Sequence, residues 1–247
     1  MWLVLCSAAD HAAIWAFQGL KELGLAPVEL ITAECLAYSR LWEHRLGADG
    51  VHVKIGLPDG RVICSSRVRG ALNRLLSPPP DLVNLAVAAD REYAAAEMAA
   101  LYLSWLHGLP GPMLNRPTPQ GMCGRWRHRS EWAWLASRAG LPIGNFGMSG
   151  RDPVDAGYYS LAPAANPVTS LIMLRYEVIG APAPKHIVEG CRRLMELTET
   201  DLLGIDFCVD PGGAWKFATA SPFPDLTRGG GPLLQRLAQV LQNGDKQ

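Results

Sequence analysis

A run of basic and aromatic side chains, GRWRHRSEW, precedes a predicted helix in the middle of the chain. It contains Arg125, Trp126, Arg127, His128 and Arg129. A basic cluster beside a helix N-terminus can bind a phosphate or a carboxylate, because the backbone N–H groups and the helix dipole also favour an anion there. A solvated loop is the alternative interpretation, and the sequence favours neither.

Three tryptophans lie in and beside this run, at Trp126, Trp132 and Trp134. Tryptophan and arginine often supply much of the binding energy at protein interfaces, so a peptide-binding surface is one interpretation. Packing of one helix face into the core is the other, and we expect at least one of the three to be a core residue.

A second candidate site lies near the end of the chain, in GIDFCVDPGGAWKFATAS. An apolar run that carries Asp206 is followed by a turn and a second apolar run, which predicts a hairpin. Asp206 is either a metal ligand or an acid held by hydrogen bonds at a strand end, and the second interpretation is favoured. Asp210 and Asp225 lie nearby in the sequence.

The composition is that of an ordinary globular protein, with 49% hydrophobic and 19% charged residues among 247. This length suits one large domain or two small ones. Lys+Arg and Asp+Glu both count 23, so the net charge gives no reason to expect a nucleic-acid or membrane partner. No apolar run reaches membrane-spanning length, and the opening residues do not predict a signal peptide.

The six cysteines are scattered, without a CxxC pair or a histidine at ligand spacing. Several lie inside apolar runs, where a thiol packs as a small hydrophobe. We therefore expect a reduced, cytoplasmic protein without disulfides or structural zinc.

The elements that must position these residues follow an α/β pattern. A buried strand at Trp2–Cys6, a helix capped by Asp10 and a second strand at Val28–Ile31 predict an open α/β sheet. Ser77–Pro80, SPPP, interrupts regular structure but need not mark a domain boundary. We expect the long helix after it to share one compact unit with the hairpin at Gly204–Thr219. Further predicted elements are a hairpin of Val51–Ile55 and Arg61–Ile63, helices at about Ala86–Leu106, Glu131–Arg138 and Ile187–Leu197, irregular structure at 143–168, either a strand pair or one bent strand at Ser170–Ile179, and a final helix through Leu241.

Three blocks resemble the ATP-grasp superfamily, and in particular the RimK-like carboxylate–amine ligases and related enzymes that modify ribosomal peptides. In chain order they are AADREYAAAEMAALYLSWLHGL, then MLNRP with EWAWLASRAGLP, then GAPAPKHIVEGCRRLMEL with LLGIDFCVDPGGAWKF and the final helix. The resemblance covers most of the chain. It implies a Rossmann-like N-terminal subdomain at 1–114, followed by a truncated ATP-grasp-like domain at 115–247.

The sequence departs from the family pattern where the resemblance places the nucleotide. Family members usually contact the phosphates of ATP with two lysines, yet no lysine lies between Lys54 and Lys185. Arginine also binds phosphate, and Arg151 and Arg175 are the arginines in the corresponding stretch.

The metal site implied by the resemblance also lacks most of its expected ligands. In the family, an acid in the first hairpin strand and an acid and an asparagine in the second hold magnesium. This chain has Asp206 in the first strand, but Thr219 and Ser221 in the second. One carboxylate supplies too little charge to hold two metal ions with the phosphates of ATP.

We therefore expect a pseudoenzyme of this superfamily that needs no cofactor and binds a peptide or protein partner as a scaffold in a modification pathway. An ATP-dependent carboxylate–amine ligase with an atypical site, which would use ATP and Mg, is the alternative. A small-molecule binding module that uses the N-terminal crevice is a third hypothesis. The chain is also a candidate to form an oligomer. The expected binding cleft is lined by Arg125, Trp126, Arg127, His128, Arg129, Ser221 and Asp225, with Asp206 as the metal candidate.

Overall fold

The structure is a computed structural model that describes residues 1–48, 50–144 and 168–243. Arg151 and most of the predicted irregular segment at 143–168 lie outside these residues. The strands are β1 (Trp2–Cys6), β2 (Val28–Thr32), β3 (Leu41–Gly47), β4 (Gly50–Gly56), β5 (Val62–Cys64), β6 (Gly70–Asn73), β7 (Met113–Leu114), β8 (Val168–Leu174), β9 (Glu177–Gly180), β10 (Leu202–Val209) and β11 (Trp215–Ser221). The helices are α1 (His11–Glu22), α2 (Ala33–Ala37), α3 (Pro80–Asn84), α4 (Arg91–His107), α5 (Arg129–Arg138), α6 (Lys185–Thr198) and α7 (Gly230–Asn243).

The chain divides into two compact units, each with its own hydrophobic core. The first comprises Met1–Arg125 and the chain from Gly231, and the second runs from Trp126 to Gly230. This division differs from the expected one at residue 114, because residues 115–125 and α7 belong to the first unit. In α7, the Leu241 carbonyl accepts a hydrogen bond of 3.1 Å from the Trp2 indole.

The SPPP segment lies inside the first unit, so it marks no boundary, as expected. The expectation that the long helix and the hairpin share one unit is wrong, because α4 lies in the first unit and β10 and β11 lie in the second. The physical reason is that each packs into a separate core. Trp105 of α4 belongs to one hydrophobic cluster, and Phe207 of β10 belongs to the other.

The first unit contains a four-stranded parallel sheet in the order β2-β1-β6-β7. Every residue of β1 is buried, as predicted from its continuous apolar run. The predicted cap of α1 is confirmed, because Asp10 accepts a hydrogen bond of 3.0 Å from the Ala13 N–H. Gly24, with φ of 83°, follows the end of this helix in a left-handed conformation that glycine adopts easily.

A second sheet of the first unit is antiparallel, in the order β3-β4-β5. The predicted hairpin of β4 and β5 is confirmed, whereas β3 was not predicted, because its sequence, LWEHRLG, has no alternation of apolar and polar residues and none of its residues is fully buried. The Trp42 ring of β3 packs against Tyr102 and Trp105 of α4, with ring centroids 5.2 and 5.3 Å apart. This aromatic contact joins β3 to α4.

The second unit contains an antiparallel sheet in the order β11-β10-β8-β9. Of the two alternatives for Ser170–Ile179, the strand pair is the one found, as β8 and β9. The predicted hairpin of β10 and β11 is confirmed. Leu171, Ile205 and Phe207 lie on one face of this sheet and form a core with α5 and α6. Because strand side chains alternate between faces, the residues between them lie on the opposite face.

The α/β class predicted from the sequence is confirmed by these mixed sheets and helices. Within the described residues, none of the helices combines the length and the apolar character that crossing a bilayer requires. All six cysteines are free thiols.

We expect Tyr102→Phe to leave the free energy of unfolding unchanged or to raise it. The Tyr102 hydroxyl is buried and has no hydrogen-bond partner among the described residues, and such a group costs about 1–3 kcal/mol. Urea unfolding of the two proteins measures the difference. The control Tyr102→Ala removes the ring that contacts Trp42 and should cost about 3–5 kcal/mol. A loss above about 1 kcal/mol for the phenylalanine variant would mean that the hydroxyl has a partner, such as an internal water.

We expect Cys6, Cys123 and Cys191 to resist alkylation in the folded protein. Burial raises the pKa of each of these thiols to about 12, and the thiolate is the form that reacts. Iodoacetamide labelling at pH 8 followed by peptide mapping should find label only at the half-buried cysteines, Cys35, Cys64 and Cys208. Labelling in denaturant is the control and should modify all six. Rapid labelling of the three buried thiols would mean that their surroundings open readily.

Candidate functional site

A pocket of about 160 Å³ lies on the face of the second unit's sheet that α5 and α6 do not cover. A short turn, Leu226–Gly229, follows β11 and closes one side of it. Gly204 of β10 lies beneath this side, and a Cβ there would come within 2.8 Å of Pro224. The polar side chains that line the pocket are Ser170, Asp206, Thr219, Ser221, Asp225 and Arg228.

A register shift in the hairpin places Thr219 in this pocket. Asp206 pairs with Thr219 and the next residue, Phe207, pairs with Phe217, so that Ala218 is an extra residue in β11. A bulge of this kind changes which face the following side chains occupy. Phe217 therefore packs in the core, while Thr219 lines the pocket beside Asp206.

Asp206 is held by a hydroxyl and a cation from its own unit. The Ser170 hydroxyl, on the neighbouring strand β8, donates a hydrogen bond of 2.5 Å to Asp206 Oδ1. The Arg228 guanidinium donates a hydrogen bond to the same Ser170 hydroxyl, and its Nη1 lies 3.8 Å from Asp206 Oδ1. This arrangement matches the interpretation of Asp206 as an acid in a local hydrogen-bond network.

The turn after β11 positions Arg228. Asp225 begins the turn, and its Oδ1 accepts hydrogen bonds from the Thr227 N–H at 3.1 Å and the Thr227 hydroxyl at 2.6 Å. Leu226 is fully buried and anchors the turn. Arg228 Nε lies 3.6 Å from Asp225 Oδ2, so the guanidinium lies within ion-pair distance of two carboxylates.

The oxygen atoms of the pocket's side chains do not match the ligand set of a magnesium site. Magnesium takes oxygen ligands in near-octahedral geometry, usually one or two carboxylates with waters and phosphates. Both pocket carboxylates, Asp206 and Asp225, already lie beside Arg228. Ser221 Oγ accepts a hydrogen bond of 3.1 Å from the Phe223 N–H. In the described part of the chain, no three His, Cys, Asp or Glu side chains are grouped to hold a metal ion.

Arg127, from the basic and aromatic run, has a largely buried side chain that joins two helices. Its side chain is 7% exposed, and it donates a hydrogen bond of 3.1 Å to the Thr198 carbonyl at the end of α6. Its guanidinium lies 5.2 Å from the ring of Trp132 in α5, and its Nε lies 3.3 Å from Glu131. Since Trp132 belongs to the core, Arg127 lies on the helix side of the sheet.

Four residues of this run lie at the surface: Arg125, Trp126, His128 and Arg129. Trp126 is 67% exposed, whereas Trp132 is 3% exposed, which confirms that at least one of the tryptophans is a core residue. His128 caps α5, because its Nδ1 accepts a hydrogen bond of 3.3 Å from the Ser130 N–H. Arg125 and Arg129 are exposed.

The structure brings together only part of the predicted set. Asp206, Ser221 and Asp225 meet in the pocket, whereas Arg127 packs on the opposite, helix-covered side of the same sheet. Sequence reasoning missed Ser170 and Arg228. The spacing of Asp225 and Arg228, three residues apart, was the available local signal; Ser170 becomes relevant only through the pairing of β8 with β10.

A buried ion pair lies at the carboxyl ends of β1 and β6 in the first unit. Arg74 Nε is 2.7 Å from Asp10 Oδ2, and the two side chains are 2% and 7% exposed. Ligands of open α/β sheets often bind at this edge. Here the ion pair takes up part of that edge, and Asp10 serves both as its acid and as the cap of α1.

No protein-family model matches the sequence, and the search of curated proteins gave no match. Solved structures, in contrast, are similar over nearly the whole chain. The macrocyclase MdnC from Microcystis aeruginosa MRC, bound with the precursor peptide MdnA, has a TM-score of 0.71 at 12% identity, covering 98% of this chain and 100% of MdnC.

Two further structures show the same likeness. A RiPP-associated ATP-grasp ligase from Chryseobacterium gregarium, in complex with ADP and a leader and core peptide, has a TM-score of 0.68 at 10% identity, covering 98% of this chain and 96% of that one. The ATP-grasp ligase PsnB, complexed with a minimal precursor, Mg and ADP, has a TM-score of 0.67 at 13% identity, covering 98% and 97%. The fold that the resemblance implies is thus confirmed: the chain shares the α/β fold of these solved ATP-grasp ligases.

Proposed function

We propose that this chain is a non-catalytic relative of the RimK-like ATP-grasp ligases that binds a peptide or protein in a peptide-modification pathway. The observation that carries the proposal is the position of Arg228 beside Asp206. The resemblance places magnesium at this hairpin, and here a cation of the protein itself lies there. The parallel sheet of the first unit is, in this proposal, the Rossmann-like subdomain, and the second unit is the reduced ATP-grasp domain.

The charges of the pocket support the absence of ligase chemistry. A magnesium ion at Asp206 would either displace Arg228 or lie next to its like charge. The second strand offers the hydroxyls of Thr219 and Ser221, which cannot replace the charge of a carboxylate. The pocket therefore lacks the negative charge that binding the magnesium ions of a ligase would require.

An ATP-dependent carboxylate–amine ligase with an atypical site is the second candidate. The observation in its favour is the likeness to structures solved with ADP, one of them with Mg. Asp206 also keeps 34% of its side chain exposed in the pocket, so that it is accessible to a ligand. Such an enzyme would use ATP and magnesium to activate a carboxylate as an acyl phosphate before an amine attacks it.

Peptide binding is supported by the fold and by an exposed aromatic surface. MdnC, the Chryseobacterium ligase and PsnB were all solved with peptides bound. In this chain, Trp126 is exposed and its ring centroid lies 6.3 Å from that of His128. Exposed Arg125 and Arg129 flank the two residues in the sequence. Tryptophan and arginine are enriched at the centres of protein interfaces.

We expect isothermal titration with Mg-ATP to give no binding signal for the wild-type protein. The reason is that Arg228 lies beside Asp206, the one acid that remains of the expected metal site. The same titration in excess EDTA is the control for heat that does not depend on the metal. Magnesium-dependent binding with a micromolar dissociation constant would reject the non-catalytic proposal and favour the ligase.

We expect Trp126→Ala to weaken peptide binding by about thirtyfold, which corresponds to a hot spot of about 2 kcal/mol. Peptides selected by phage display against the wild-type protein provide the probes, and fluorescence polarisation measures their affinity. The melting temperature should stay the same, because the Trp126 ring is 67% exposed.

The matched control is Trp134→Ala. Trp134 is 56% exposed on α5 and lies 5.4 Å from the Arg138 guanidinium, outside the run of Arg125 to Arg129. Its removal should leave the affinity unchanged. Equal affinities for the wild type and Trp126→Ala would place the interface elsewhere, and failure to select any peptide would argue against peptide binding.

A further inference from the structure

One guanidinium in the pocket of the second unit lies within ion-pair distance of two carboxylates. Asp206 comes from β10 and Asp225 from the turn after β11, and Arg228 lies 3.8 Å from the first and 3.6 Å from the second. The three side chains are between 34% and 53% exposed. Partly exposed ion pairs add little to stability by themselves, so the main effect of Arg228 is on the charge of the pocket.

The formal charge of these three side chains is −1 with Arg228 in place and would be −2 without it. Three hydroxyl groups, of Ser170, Thr219 and Ser221, line the same pocket. Carboxylate and hydroxyl oxygens are hard donors, the class that magnesium and manganese ions take. The volume of about 160 Å³ has room for an ion with several waters, since one water takes about 30 Å³.

We propose that Arg228 is an internal counter-cation that excludes divalent metal ions from this pocket. Its charge repels a metal ion, and its contacts hold the oxygen atoms that would bind one. Ser170 Oγ accepts a hydrogen bond from Arg228 and donates one to Asp206. Arg228 also lies within ion-pair distance of Asp225. Three of the side chains whose oxygen atoms could bind a metal ion are therefore held by one arginine. Neutralising Arg228 turns the pocket into a divalent-cation site.

This inference deepens the proposed function and rests on it in one respect: a chain that does not use Mg-ATP has no need for a metal ion at Asp206. The exclusion itself is a property of the pocket charges. It can be measured with a metal ion alone, without nucleotide or peptide.

The experiment titrates manganese chloride into four proteins and follows free Mn²⁺ by electron paramagnetic resonance. They are the wild type, Arg228→Gln, Arg228→Lys and the double variant Arg228→Gln/Asp206→Asn. Glutamine removes the charge and keeps an N–H donor for Ser170, whereas lysine keeps the charge. We expect Arg228→Gln to bind Mn²⁺ at least about tenfold more tightly than the wild type, because a positive charge 3.8 Å from Asp206 is lost.

The other two variants are the matched controls. Arg228→Lys should bind as weakly as the wild type, because the repelling charge remains. The double variant should lose the gained site, because Asp206 no longer supplies a carboxylate. Magnesium chloride should also raise the melting temperature of Arg228→Gln alone, since a ligand that binds only the folded state stabilises it.

Two results would overturn the inference. One is Mn²⁺ binding by the wild type as tight as by Arg228→Gln, and the other is no gain of binding by a folded Arg228→Gln. Circular dichroism checks the fold, and Arg228→Ala replaces the glutamine variant if that one does not fold. Mg-ATP binding by the wild type, together with gained Mn²⁺ binding by Arg228→Gln, would reject the proposed function and leave the inference standing. No Mg-ATP binding by the wild type, together with no gain of Mn²⁺ binding by Arg228→Gln, would reject the inference and leave the proposed function standing.

Discussion

The alternation of side chains along β8, β10 and β11 is the constraint on which the candidate site depends. One face of this sheet must be apolar, because it packs against α5 and α6 around Phe207 and Trp132. Every second side chain then lies on the other face, which is where Asp206 is placed. The extra residue in β11 preserves both requirements, since it lets Phe217 remain in the core while Thr219 joins Asp206.

On that opposite face, the binding properties of the pocket depend on its charges more than on its shape. The pocket keeps an acid at the place where the resemblance puts a metal ligand, but it surrounds that acid with Arg228 and Ser170. An arginine is permanently protonated and carries donors only, so it can neutralise carboxylates but cannot hold a phosphate-bridging metal. The fold shared with the solved ATP-grasp ligases is compatible with this pocket, because packing on the opposite face of the sheet preserves the fold.

The basic and aromatic run shows how burial separates neighbours in sequence. Arg127 and Trp132 pack together and fix the start of α5 against the end of α6. Trp126 lies at the surface, next in sequence to Arg127. A cluster that looks uniform by composition is thus one structural arginine, one helix cap at His128 and an exposed aromatic surface. Only the exposed part has the accessibility that binding requires.

The sequence by itself determined the elements whose signals are local. Local signals of periodicity, capping and turn chemistry predicted the apolar run of β1, the cap at Asp10, the hairpin of β10 and β11, and the helices α4, α5 and α6. The presence of Asp206 in the first hairpin strand was also visible. The strand β3 was missed because three consecutive polar residues, Glu43 to Arg45, interrupt any apolar alternation, and the contact of Trp42 with α4 stabilises the strand.

Only the tertiary structure decided what these residues do. Ser170 and Arg228 are 58 residues apart in the chain, and Asp10 and Arg74 are 64 apart. Their pairing depends on strand register and on two separate cores, which no local pattern encodes. The same holds for α7, which follows the second unit in sequence but packs in the first through contacts such as Trp2 with Leu241. Only the tertiary structure shows that Asp206 faces a guanidinium, because this depends on which side chain distant in sequence the fold places beside it.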